Sequence, residues 1–162
     1  MRVTSRGALA LTSLALLAGC GDGPTPPKPQ PAVGSFTATV SGAASRSLDG
    51  QAGFLVTTNL FTIALNSSAG SGSIQLSRLS GVPAAGTYSL DANAAQNSGA
   101  FAAIYSAGAQ ENYVSTSGSL TITSSSGDRV RGSFDFTGTG GTSGTASVRI
   151  TGTFDAPRLS AK

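Results

Sequence analysis

The chain has no histidine and no tryptophan, a single cysteine and a single methionine, and only 10% of its 162 residues are charged. Each shortage removes a class of chemistry. Without histidine the commonest general base and metal ligand is missing, and a Ser-His-Asp triad cannot be assembled. One cysteine forms no internal disulfide. The only lysines, Lys28 in a proline-rich stretch and Lys162 at the end, are poorly placed to activate a serine. The sparse charge is dispersed, so the concentrated basic face that a nucleic-acid partner requires is not visible. The apolar block Ala8 to Ala18, relieved by Thr12 and Ser13, is far short of the roughly 20 residues of a membrane-spanning helix.

That block has another use. Arg2 and Arg6 form a short positive leader ahead of it, and Leu17-Ala18-Gly19-Cys20 follows, with small residues before the cysteine. The order is that of a signal peptide with its cleavage site. The four residues resemble the lipobox of bacterial lipoproteins, whose cysteine is diacylated, becomes the new N-terminus and is usually acylated again. The resemblance implies that residues 1–19 are removed and that Cys20 carries acyl chains such as palmitate. It places the body of the protein in the cell envelope, outside the cytoplasm, with the membrane as its partner through the lipid. Two or three chains anchor stably where one does not, because each buried methylene adds about 0.8 kcal/mol. Loss of Arg2 and Arg6 lowers the formal charge from +3 to +1, so the whole-chain pI of 9.5 is no argument for nucleic acid.

Residues 20–32 read as a lipidated cysteine and a tether. Gly21 to Ala32, GDGPTPPKPQPA, is too rich in proline to fold and favours polyproline II. At about 3.1 Å per residue it would hold a domain roughly 30 to 40 Å from the acylated cysteine. The PxxP spacings Pro24 to Pro27 and Pro26 to Pro29 also fit a ligand for a proline-binding groove, but a spacer needs this composition anyway.

From residue 33 to 162 the chain is Gly, Ser, Thr and Ala with short apolar alternations and no helical period. Ala146, Val148, Ile150, Gly152 and Phe154 share one face, and Val130, Gly132, Phe134 and Phe136 repeat the pattern one segment earlier. With the Gly138 to Gly144 connection they predict an antiparallel hairpin with one dry face and one wet face. Leu120 with Ile122, and Phe36 with Ala38 and Val40, predict two further strands. Residues 51–57, 60–66, 72–79, 86–90 and 100–106 complete about nine. The fold class is therefore all-β, a single antiparallel β-sandwich or closed β-barrel of eight or nine strands, since both alternate in and out.

Several strands are expected to open with Gly, then Ser or Thr, then a large apolar residue, as in Gly34-Ser35-Phe36, Gly86-Thr87-Tyr88, Gly118-Ser119-Leu120, Gly132-Ser133-Phe134 and Gly152-Thr153-Phe154, the glycine standing at a bend. With Tyr105, Tyr113 and Phe36-Thr37-Ala38-Thr39-Val40-Ser41-Gly42, this pattern resembles a group of uncharacterised bacterial lipoprotein β-domains. Its motifs mark strands, and the resemblance implies fold and location but no active site.

Paired carboxylates are the remaining acid/base option. Asp135 and Asp155 fall on outward positions of adjacent strands, where Arg131 and Arg149 can pair with them, so a solvated ion-paired face is expected instead of catalysis. Asp91, Asn93 and Asn97 resemble a calcium loop only faintly: Gln96 stands where an EF-hand needs Gly, and Ala102 where it needs the bidentate Glu. The glycines of 138–144 have no following helix to complete a phosphate site.

The chain is thus expected to be no enzyme and to need no metal or cofactor. Tyr88, Tyr105 and Tyr113, near the loops 91–99 and 107–112, are the candidate contacts for an envelope protein, a glycan or a small ligand, since tyrosine offers an apolar ring with a wet hydroxyl. The alternative is a lipocalin-like carrier, which demands a closed barrel with room inside; a cavity lined by Phe54, Phe61, Phe101 and Phe134 would mark it.

Overall fold

The computed structural model describes residues 33–70, 72–96, 99–108 and 110–160. Cys20, the leader and the tether lie outside them. The described residues contain no helix. Nine strands follow in order: β1 (Gly34–Gly42), β2 (Arg46–Val56), β3 (Phe61–Ser67), β4 (Ser73–Arg78), β5 (Gly86–Ser89), β6 (Ala102–Gly108), β7 (Glu111–Ser125), β8 (Arg129–Gly140) and β9 (Ala146–Pro157). All neighbours in the sheet run antiparallel.

The alternation seen in the sequence sets the burial. Phe36, Ala38 and Val40 of β1, Leu120 and Ile122 of β7, Val130, Phe134 and Phe136 of β8, and Val148, Ile150 and Phe154 of β9 are all buried in one continuous core. What periodicity leaves open, pairing decides. β7 pairs with β8 and β1 pairs with β9, so β1, β2, β3, β4, β6, β7, β8 and β9 close into an eight-stranded barrel. β5 is the extra strand. It lies on the part of β7 that β6 leaves free, with Tyr88 opposite Leu120, whereas β6 pairs with the beginning of β7, Tyr105 opposite Tyr113.

A narrow barrel has little room for side chains facing one another across the pleat, and at several points of the ladders a large residue stands opposite a small one. Phe36 stands opposite Gly50, Ala38 opposite both Leu48 and Gly152, Phe154 opposite Gly132, Phe134 opposite Gly152, and Phe136 opposite Gly118. This corrects the expectation that the Gly-Ser/Thr-apolar triplets open strands. Gly34 and Gly86 do begin β1 and β5, but Gly118, Gly132 and Gly152 are strand interiors, each small because a neighbouring strand or ring occupies the space of its Cβ.

Several strands are longer than the sequence predicts: β8 runs on to Gly140, so Gly138 to Gly140, read as part of the hairpin connection, pair with β9. β2 begins at Arg46 and β7 at Glu111, so residues 111 and 112, read as part of a loop, are paired strand. β7 changes register against β8 at Ser115/Ser117 and at Ile122/Ser124, bulges that increase the local twist.

Candidate functional site

Strand polarity gives the barrel two rims. One carries the β2–β3 turn, the β4–β5 and β5–β6 connections, the β7–β8 turn and the residues after β9; the other carries the remaining turns. The three tyrosines divide between them. Tyr105 and Tyr113 lie toward the second rim and are 0% and 2% exposed, their rings stacked at 5.9 Å. They are core side chains. Burial pushes the Tyr105 hydroxyl above its ordinary pKa, with nearby Arg46 opposing the shift, so the phenol stays neutral. Tyr88, on β5 toward the first rim, is half-buried; its hydroxyl donates to the Ala84 carbonyl at 2.9 Å and its ring meets Phe101 edge-on at 5.5 Å.

At this first rim the extra strand opens a seam. Beyond β5 the chain continues along β7, the Leu90 N–H donating to the Gly118 carbonyl and the Ala92 N–H to the Ser115 carbonyl. It then turns at Asp91, whose Oδ1 accepts from the N–H groups of Asn93 and Ala94. That carboxylate is used to close a polar turn. Among the described residues no group of three or more carboxylates, cysteines or histidines is close enough to hold a metal.

Arg78 ends β4 at the seam. Ile74, Leu76 and Arg78 share the inward phase of the strand, and Arg78 pairs across the sheet with fully buried Phe61. An arginine therefore stands where the pattern asks for an apolar residue. Its guanidinium carbon lies 5.2 Å from the centre of the Tyr88 ring and 5.5 Å from that of Phe101, within range of cation–π attraction to both. Its Nε is buried without a hydrogen-bond partner, and no ion pair involves it among the described residues. Arg78, Ser77 and Leu79 join Leu60, Ala92, Ala95, Gln96 and Ala102 around a recess of about 260 Å³. The sequence reading passed over Arg78. Its one signal was the alternation of Ile74 and Leu76 continuing onto a cation.

Arg129, Arg131 and Arg149 are better provided for. Asp155 accepts from Arg129 and, at 3.0 Å, from Arg131, and Asp135 binds Arg149 at 2.7 and 3.0 Å. These are the outward ion pairs expected from the register, with Arg129 as an addition. A shallow groove of about 600 Å³ also crosses the outer face, walled in part by Thr37, Thr39, Ser47, Asp49, Asp135, Thr151 and Thr153. Cross-strand hydroxyls meet there, as between Thr37 and Thr153 at 3.3 Å.

Hydrogen bonding from Arg129, then from Arg131, holds the Asp155 carboxyl below the usual carboxylate range, and Arg149 does the same for Asp135. A lowered folded-state pKa contributes stability that is present above the unfolded value of about 3.9 and is lost as pH falls through the folded one. Asp155→Asn should therefore cost on the order of 1 kcal/mol near neutrality, and much of that difference should vanish in strong acid. Thermal unfolding of both proteins at about pH 7 and about pH 2.5 checks it; an equal gap at the two pH values would contradict it.

Comparison with family models, with curated proteins and with solved structures finds no match to this chain.

Proposed function

We propose that the protein is a lipid-anchored component of a bacterial envelope whose barrel is a non-enzymatic binding module, held off the membrane by the tether of residues 21–32. The observation that carries the anchoring is the run Leu17-Ala18-Gly19-Cys20 behind a short basic and apolar leader. The binding half is supported by the first rim, where a partly buried cation that forms no ion pair among the described residues borders an apolar recess, an arrangement costly to keep unless something answers it.

A second reading, a lipocalin-like carrier of a small ligand, has the closed barrel in its favour. The rings named as markers of an internal cavity instead contact one another or their neighbours: Phe54 with Phe61 at 5.4 Å, Phe61 with Phe101 at 6.1 Å, and Phe134 with Phe154 at 6.4 Å. Binding at the rim suits this filled interior better than binding among the four phenylalanines.

Cys20→Ser decides the anchoring. The native protein should partition into the detergent phase and the variant into the aqueous phase, with an intact-mass difference of the acyl chains. Equal retention of both proteins in the detergent phase would defeat it.

A further inference from the structure

The geometry points to Arg78 as the binding residue of a site at the first rim for a small organic carboxylate with an apolar tail. The inference rests on the binding-module reading and adds the ligand class. Arg78 is inward-phased on β4 with its guanidinium within cation–π range of both the Tyr88 and Phe101 rings, which hold it in place before anything binds. Attraction to an aromatic ring leaves the N–H donors of a guanidinium for an acceptor. Arg78 borders the recess, and no described carboxylate forms an ion pair with it. Planar donors without a counter-ion are the complement of a carboxylate, which they bind in parallel pairs.

The adjoining walls set the rest of the ligand. Leu60, Leu79, Ala92, Ala95 and Ala102 give the recess a largely apolar lining, and Leu60 and Leu79 remain 38% and 60% exposed at its edge. At about 30 Å³ per water-sized group, 260 Å³ holds roughly eight such groups. That suits a carboxylate with a short hydrocarbon tail; a long acyl chain would project past the exposed leucines into water. A cationic or neutral ligand would leave the charge of the guanidinium uncompensated.

Calorimetric titration of the full chain in zwitterionic nanodiscs, with protein-free nanodiscs subtracted, tests this with octanoate, octanol and acetate as probes. Octanoate should bind about ten- to hundredfold more tightly than octanol, as expected for a hydrogen bond to a charged group, and acetate more weakly than octanoate. Arg78→Gln should erase the preference of octanoate over octanol, Arg78→Lys should keep part of it, and Arg149→Gln, on the outer face, should leave it intact. If Arg78→Gln lowers the thermal midpoint too far to titrate, Leu79→Asp provides the second route. At a residue 60% exposed it leaves the fold alone and supplies an internal carboxylate that competes with octanoate. Octanoate no tighter than octanol, or unchanged in Arg78→Gln or Leu79→Asp, overturns the inference. Failure of octanoate to bind while the protein still captures an envelope partner would sink the ligand class and leave the module reading standing.

Discussion

Gly152→Val abolishes cooperative folding, and Gly152→Ala lowers the thermal midpoint by at least about 10 °C. A Cβ at this position would stand 2.5 Å from Phe134 Cζ, 2.5 Å from the Thr37 carbonyl oxygen and 2.9 Å from Ala38 Cβ. The ring could swing aside; the carbonyl belongs to the β1–β9 ladder and cannot move without opening it. Overpacking a core typically costs about 1 to 3 kcal/mol even where neighbours yield. Here a backbone atom blocks relief, and the larger valine adds two further methyls against a total stability of about 5 to 15 kcal/mol. Gly81→Ala is the control, since nothing lies within 4 Å of its Cβ position, and it should change stability by less than about 0.5 kcal/mol. Thermal unfolding followed by circular dichroism reads all three. A midpoint for Gly152→Ala within about 3 °C of wild type would show that the interior is looser than these distances require.

Phe61→Ala is the largest expected truncation effect, a loss of about 3 to 5 kcal/mol. Phe61 is fully buried, touches Phe54 at 5.4 Å and Phe101 at 6.1 Å, and stands opposite Arg78 across the sheet. Removing the ring leaves a void beneath the pair of rings that carries the guanidinium. The variant should show both the stability loss in urea titration and a weakened near-ultraviolet aromatic signal. A loss below about 1.5 kcal/mol would mean that the site collapses and heals, against the close packing described.

The parts of the fold that sequence reveals are those where large apolar residues alternate without interruption. β8 and β9 read directly from Val130, Phe134, Phe136, Val148, Ile150 and Phe154. The first half of β7 does not, because its inward positions include Ser115, a buried hydroxyl that accepts from the Ala103 N–H at 2.9 Å, and the long strand is broken by bulges. The first half of β2 is similarly disguised by Asp49, Gly50 and Gln51 around a single leucine. Sandwich and barrel share one alternation; only the β1–β9 and β7–β8 pairings, made between distant or bulged segments, separate them. The rim was less legible still. Arg78, Tyr88 and Phe101 are brought together by the displacement of β5, and no local pattern records that displacement. The tyrosines drew notice by residue type, and burial then assigned two of them to the core.

The pairing of β1 with β9 has a bearing on the order of events in synthesis. Thr37 and Thr153, neighbours across that seam, are 116 residues apart in the chain. Contacts of such long range form slowly, since the entropy of bringing the ends together is lost before any pairing rewards it. While β9 is still unmade, β1 lacks one of its two flanking strands and the cylinder has no final stave. The complete cylinder can shut only after its last strand is available.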